Sequence, residues 1–464
     1  MLANVIVRSL FQSSLLWIDE ITGIALAILA FVGGAAAYGR GRLLSVQFFV
    51  LRLPVAGQAA VGALFDWLIL AISAIIGIAS IPMLQTQWQS KTPFLHISAA
   101  LGIAPVTLGA VLTAIYAVSH LLRRRSRPGI VWGTGGALFA VGALAVATQA
   151  WWVPSFHGAV ALEVMLGLFA LCVVFGLPVG YALAAGSIVY IYGARPATLT
   201  ALPMQMLGGV SNFLLLALPF FIFAGFIMER GGISSRLVDF MRAIVGHIRG
   251  GLLQAMVLAM YLVSGMSGSK SGDVAAVGTS MNQMLAREGY LPEENVAVLA
   301  ASAVMGETVP PSLAMLVLGT ITTVSVGSLF IAGIVPAAVI GGVLLVAVYV
   351  RARLQGRVAA SRFSWAVLGR TGLKAIPALL MLVILFGGIL SGIGTPTEVS
   401  SFAVAYGLFL AIVVYRATDL RALVRAVSEA ALMTGMILFI VANAIAFSWV
   451  LTVGELPQGL VASL

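Results

Sequence analysis

Leu262–Gly278, LVSGMSGSKSGDVAAVG, interrupts an apolar run that begins at Gly251. Glycine and serine replace the aliphatic residues, Lys270 and Asp273 bring charge, and the run turns apolar again at Val274–Val277. Polar backbone at bilayer depth is tolerated only where protein or a water-filled cavity satisfies it. The stretch therefore reads as a re-entrant hairpin whose tip touches something polar. The design recurs near the other end, where apolar Ala375–Leu390 is followed by Ser391-Gly-Ile-Gly394-Thr395-Pro396-Thr397-Glu398 and then by a further apolar run. Two broken apolar segments in corresponding positions point to the binding site of a transporter.

The rest of the composition agrees. Hydrophobic residues make up 61% of the chain and charged residues 9%, too little charge to cover a water-soluble surface. The apolar runs have helix length rather than the ten-residue alternation of an outer-membrane barrel. The expected fold is all-α, a polytopic membrane helical bundle with two re-entrant hairpins and broken helices. In a soluble protein the net charge of +10 would suggest a nucleic-acid partner. Here the arginines sit in short loops between apolar runs, where they set orientation by the positive-inside rule, and no nucleic acid is expected. The single cysteine, Cys172, lies in an apolar run, which excludes an intrachain disulfide and a cysteine-ligated metal.

Taken in order, Met1–Glu20 carries Arg8 and the LLWIDE sequence without the pattern of a signal peptide. Spans are predicted over Ile21–Tyr38, Val61–Met83 and Leu95–Leu122. The basic connections at 40–52 and 123–127 are expected in the cytoplasm, and the loops near 85–93 and 151–157 outside. A small-residue helix, Val131–Thr148, carries the chain back across the membrane as a linker. Leu162–Tyr192 is too long for one upright span and is broken at Pro178-Val-Gly180, so it is either a tilted, kinked helix or a tight pair. Met206–Met228 is the next span. In residues 230–251, Ile233, Leu237, Val238, Met241, Ile244, Val245 and Ile248 recur at helical spacing opposite Arg236, Asp239, Arg242 and Arg249. This predicts an amphipathic helix on the cytoplasmic surface, with the first hairpin entering from that side. Arg287–Glu294 is a polar turn, and the helix over Val296–Leu318 is interrupted by GETVPPS, where Pro310 and Pro311 remove two backbone donors. Spans follow over Phe330–Val350 and Ala431–Val453, with a cytoplasmic, Arg-rich connection from Arg351 to Lys374 between the first of them and the second hairpin.

FGLPVGYALAAG, LALPFFIFAGFIMERGGISSRL, GHIRGGL, SGMSGSKSGDVAAVG, VPPS and GTPTEVSSFAVAYG stand in this order over residues 163–464. That region resembles the large membrane subunit of tripartite ATP-independent periplasmic (TRAP) transporters. Residues 14–123, with LLWIDEITG, a basic turn around Gly39–Arg42 and a closing helix that ends in arginine, resemble the small membrane subunit of the same systems. The resemblance implies a fused permease with a small-subunit-like module at 1–125, a linker helix at 126–158 and a large-subunit-like transport module at 159–464. It also implies a non-enzymatic, elevator-type carrier in the bacterial inner membrane that takes up a small organic acid with sodium and receives it from a periplasmic substrate-binding protein. In that family the small module starts one helix earlier and the large module continues past the position of Leu464, so the resemblance implies a chain cut at both ends.

On this reading Ser267, Gly268, Asp273, Pro310, Ser312, Gly394, Thr395 and Glu398 are the candidate sodium-site residues, since a hard cation takes carbonyl, hydroxyl and carboxylate oxygens and unwound backbone supplies them. Lys270, Ser269 and Thr397 are the candidate substrate-binding residues. Lys270 is open to two uses, meeting a substrate carboxylate or Asp273, or snorkelling to an interface. Glu398 is open to a second use as a cap at a helix start, and Glu307 belongs to the broken stretch. Asp66 and Glu163 read as headgroup-level or interhelical contacts. The four histidines sit at span ends without metal spacing. The sequence Gly265-Met-Ser267-Gly268 also carries the GxSG of rhomboid-type intramembrane proteases, and the remaining alternative is a nonfunctional permease fragment.

Overall fold

In hydrocarbon each backbone N–H and C=O must be satisfied inside its own segment, so the apolar runs fold as helices. A computed structural model describes residues 7, 15–124, 128–148, 158–267, 270–322, 324–357, 362–416 and 418–456, with residues 158, 159, 267, 270 and 271 described by backbone alone. Among the described residues nine helices are long and apolar enough to cross a membrane. The chain divides into two compact units, one of Leu16–Asn212 with Leu432–Leu464, the other of Phe213–Ala431 with the first fifteen residues.

The first unit begins with α1 (Trp17–Gly39), α2 (Val55–Gln87), α3 (Ala100–Arg123) and α4 (Pro128–Ala147). The third span starts at Ala100 rather than at Leu95. The backbone N–H groups of Phe94 and Leu95 are held by the Glu20 carboxylate, at 2.8 and 3.0 Å, and Thr92 N–H donates to Ile97 O at 2.8 Å, so these residues form a connection instead of a helical turn. The linker helix α4 packs on α2, where the Trp67 indole N–H donates to Val131 O at 3.0 Å.

Leu162–Tyr192 resolves as the pair α5 (Gly158–Val174) and α6 (Val179–Ala194), packed against each other. Gly176 takes φ +88 between them and Pro178 supplies no donor. At about 25 Å each, the two are shorter than the ~30 Å hydrocarbon layer. Met206–Met228 is not one span: α7 (Ala201–Val210) ends there, and a new helical segment starts at Phe213. Gly208-Gly209 weakens the helix, and both the backbone and the hydroxyl of Ser211 close on Leu207 O.

A buried carboxylate in this unit is paired. Asp66 is 5% exposed and accepts from the Tyr38 hydroxyl at 2.7 Å and from Arg124 Nε at 2.9 Å, with His120 Nδ1 at 3.6 Å. It is an interhelical contact that ties α1 and α2 to the end of α3. Two of its partners, Tyr38 and Arg124, belong to segments 28 and 58 residues away.

The second unit holds α8 (Ala217–Arg230), α9 (Ile233–Val245), α10 (Gly251–Ser267), α11 (Lys270–Arg287), α12 (Pro292–Val304), α13 (Leu313–Ile321), α14 (Val326–Leu354), α15 (Trp365–Leu390) and α16 (Pro396–Phe409). The last helix, α17 (Leu420–Val453), belongs to this unit up to Ala431 and to the first unit from Leu432. The helix after the first hairpin starts earlier than expected, with Pro292 at its first position and Glu293 and Glu294 in its first turn, which shortens the predicted polar turn. The amphipathic helix forms as α9, and its apolar Ile233, Leu237, Val238 and Met241 are buried. It packs on α10 and α15, so its apolar side meets protein.

Arginines close the ends of this unit. Glu294, buried, accepts from Arg351 Nε at 2.9 Å and Arg357 Nη2 at 3.2 Å, and the Arg357 guanidinium lies 3.9 Å over the Tyr290 ring. Burial pushes the Tyr290 hydroxyl above its ordinary pKa. Arg230 pairs with Glu429 at 2.8 Å and donates to Ala422 O at 2.8 Å, which fastens α8 to the start of α17.

Replacing Asp66 with Leu leaves Arg124 without its carboxylate. Breaking a buried pair costs 3–5 kcal/mol, but Arg124 is partly solvated, so a loss of about 2 kcal/mol is expected. It would be read as a lower midpoint of thermal unfolding in detergent, with Tyr38→Phe giving a smaller drop.

Candidate functional site

Both interrupted stretches form helical hairpins. In the first, α10 and α11 pack against each other with residues 268 and 269 between them. Gly268 and Ser269, and the side chains of Ser267 and Lys270, lie outside the described residues. Asp273 is described: it sits in the first turn of α11, is 2% exposed, and accepts from the Ser264 hydroxyl of the opposite arm at 2.8 Å. The carboxylate therefore clamps the two arms just below the tip, where the N-terminal dipole of α11 also favours negative charge. A void of about 10 Å³, room for one water, lies beside it and is lined also by Glu229, Ser234 and Met266.

The broken stretch comes next. The chain leaves α12 through a tight 3-10 turn, Met305–Glu307, runs through buried Pro310 and Pro311, and re-enters a helix at Ser312. Two residue types explain the restart: proline has no N–H to lose, and a serine hydroxyl caps free N–H groups. Ser312 is fully buried. It accepts from Met315 N–H at 3.3 Å and donates to Glu307 Oε2 at 3.5 Å.

In the second hairpin, α15 ends at Leu390, Gly392 turns the chain with φ +71, and α16 starts at Pro396. Thr395 and Glu398 form a reciprocal cap. Glu398 N–H donates to Thr395 Oγ1 at 3.4 Å, and Thr395 N–H donates to Glu398 Oε2 at 2.8 Å. The capping use of Glu398, held open by the sequence, is thus present. Thr395 Oγ1 is also 2.9 Å from Thr397 Oγ1, and Thr397 is fully buried, followed by buried Ser400 and Ser401. Gly394 N–H donates to Gly388 O at 3.2 Å, which folds the tip back onto the end of α15.

Packing connects these pieces. A Cβ on Gly265, in the first hairpin, would lie 3.1 Å from Val309, 3.3 Å from Pro310 O and 3.4 Å from Leu382 of α15. Pro310 and Pro311 in turn share a small apolar void with Leu385, Ile389 and Leu390, the last residues before the second tip. Contacts thus run from the first hairpin to the broken helix and from there to the second hairpin, all within one unit. Among the described residues no three His, Cys, Asp or Glu side chains converge, and the polar atoms on offer are hydroxyls, carbonyls and single carboxylates. Sequence reasoning missed Ser264, Glu229 and Ser234 beside Asp273. Ser264 opens the same SGMSGS run, nine residues before Asp273 and on the facing arm; the other two come from α8 and α9 and carry no local signal.

Residues 166–464 match the Tripartite ATP-independent periplasmic transporter, DctM component, and residues 1–127 match the DctQ component of the same transporters. The chain belongs to the TRAP transporter family. It joins the small-subunit and large-subunit segments in one polypeptide. It is 39% identical over 265 residues to the C4-dicarboxylate TRAP transporter large permease protein DctM of Pseudomonas aeruginosa, covering 57% of this chain and 62% of that protein. It is 33% identical over 283 residues to the sialic acid TRAP transporter large permease protein SiaM of Vibrio cholerae, covering 61% and 66%. The chain thus spans less than two thirds of the length of these relatives. TRAP permeases are transporters and not enzymes, and the GxSG of Gly265–Gly268 lies inside the large-subunit match, so the protease alternative has no support.

At Gly265 an alanine fits with a shift of a few tenths of an ångström, whereas the γ-carbons of valine meet Pro310 O or Leu382. Gly265→Val is expected to destabilise the second unit by about 1–3 kcal/mol and Gly265→Ala by less. Thermal unfolding of the two variants side by side checks the difference.

Proposed function

We propose that this TRAP permease carries out sodium-coupled secondary active uptake of a small organic acid, a C4-dicarboxylate or similar carboxylate, across the bacterial inner membrane. A periplasmic substrate-binding protein delivers the acid. The observation that carries this reading is that both hairpins and the proline-broken helix lie in one compact unit, whereas residues 16–127 of the segment matching the small subunit lie in the other. That division suits an elevator in which 213–431 moves and the rest stays fixed. The names of two relatives, a C4-dicarboxylate and a sialic acid permease, support an acidic substrate.

The chemistry of the tips fits a hard monovalent cation. Hydroxyl oxygens at Ser312, Thr395 and Thr397, carbonyls freed around Gly394 and Pro310, and the buried Asp273 are oxygen donors of the kind such an ion takes. Ser267 and Gly268 would complete the first tip. The capping bonds hold the Thr395 and Ser312 hydroxyls in place before any ion arrives. Positive charge at the tips would make room for the substrate carboxylate, received by Ser269, Thr397 and Lys270, and an empty or fully loaded unit would move at lower electrostatic cost than a half-loaded one.

In proteoliposomes with the cognate binding protein, uptake is expected to follow an imposed sodium gradient and to stop when potassium replaces sodium. Ser267→Ala combined with Ser269→Ala, and Thr397→Val alone, are expected to lower sodium-driven uptake by about tenfold or more, the equivalent of ~1.4 kcal/mol, at unchanged membrane levels. Uptake that ignores sodium would sink the coupling.

A further inference from the structure

A larger cavity lies away from both tips, between the second arm of the first hairpin and the helix that follows it. It has a volume of about 270 Å³ and is bounded by Met256 of α10, by α11 from Val274 to Leu285, and by Asn295, Val296 and Leu299 of α12. Its walls are mostly apolar. The polar groups are Thr279, Asn282 and Asn295, and no charged side chain lines it. One atom is out of place for an apolar cleft: Asn295 is 5% exposed, and its Oδ1 has no hydrogen-bond partner. A buried amide oxygen left unmatched costs about 1–3 kcal/mol, so it calls for a donor. The Thr279 hydroxyl already donates to Ala275 O at 2.7 Å.

The position of the cleft narrows what the donor belongs to. Asn295 follows Glu294, which is held by Arg351 and Arg357 at the arginine-rich end of α14. The positive-inside rule assigns that end to the cytoplasmic face, so Asn295 lies within a turn of the lipid headgroups. At the mouth, Val296 is 64% exposed on a helix of a membrane protein. The absence of charge on the walls disfavours an organic acid, whose carboxylates would be desolvated without a cation. What fits is an amphiphile with a hydrocarbon body and a head that carries N–H or O–H.

We infer that this cleft is a binding site for one phospholipid whose headgroup bears hydrogen-bond donors, the ammonium of phosphatidylethanolamine or the hydroxyls of phosphatidylglycerol, with Asn295 Oδ1 as the acceptor and an acyl chain along Val274, Leu285 and Leu299. Phosphatidylcholine has neither N–H nor O–H and is the poor ligand. Bound there, the lipid braces the second arm of the first hairpin against α12.

The test uses the full chain reconstituted in bilayers of phosphatidylcholine mixed equally with phosphatidylethanolamine, or with phosphatidylglycerol, then released into mild detergent and weighed with its retained lipid by native mass spectrometry. One lipid is expected to stay, with the donor-bearing species favoured over phosphatidylcholine by about fivefold to tenfold, the worth of one hydrogen bond. The two mixtures show whether ammonium, hydroxyl or both serve. Asn295→Leu should bring the ratio to that of the bulk bilayer, and Val296→Trp, which fills the mouth from an exposed position, should abolish retention. Thermal unfolding verifies that both variants are folded. Retention at the bulk ratio by the unaltered chain, an unchanged preference in Asn295→Leu, lipid still held by Val296→Trp, or a cleft holding water alone would each overturn the assignment.

Discussion

A backbone N–H or C=O inside hydrocarbon has no water to turn to, and the way this protein meets that constraint shapes its site. Continuous helices satisfy it internally. Where the chain stops being helical, at the two tips and the proline pair, side chains take over: Ser312 caps α13, Thr395 and Glu398 cap α16, and Asp273 joins the two arms of the first hairpin through Ser264. The groups that make an interruption tolerable are oxygens held in fixed positions. Those are also the groups a small cation seeks, so the structural requirement and the proposed site draw on the same atoms.

Charge follows a second rule. Buried carboxylates are costly unless paired, and several in this protein meet an arginine near a helix end: Asp66 with Arg124, Glu294 with Arg351 and Arg357. Partly buried Arg230 and Glu429 repeat the pattern. The arginine-rich connections thus set orientation and also bind helix ends together. Asp273 accepts from the Ser264 hydroxyl of the facing arm, and Glu398 from the Thr395 N–H.

The division into units cuts across the division into sequence modules. Segments matching the large subunit, α5 to α7 and the C-terminal part of α17, group with the helices that match the small one. Shape complementarity explains this within the unit. Gly435 of α17 meets the Gly33 backbone so closely that a Cβ would lie 2.5 Å away, and the Phe439 ring packs, tilted by 50°, with its centroid 4.9 Å from that of Tyr181. The moving body of the proposed elevator is therefore smaller than the large-subunit match.

Much of this was legible in the residues alone. Composition and run length determined a helical membrane bundle, because hydrocarbon admits few alternatives. The runs rich in glycine, serine and proline determined where helices break, because those residues lose donors or helical preference wherever they stand. The Thr395–Glu398 cap was readable as a three-residue spacing. Tertiary structure alone decided what the breaks face: that Gly265 abuts Pro310, that Glu229 and Ser234 share a void with Asp273, that α9 lays its apolar side on protein, and that Met206–Met228 splits at a unit boundary. These are contacts between segments tens of residues apart. A local pattern encodes which face of a helix is apolar, but the partner of that face is settled only when the whole set of helices packs.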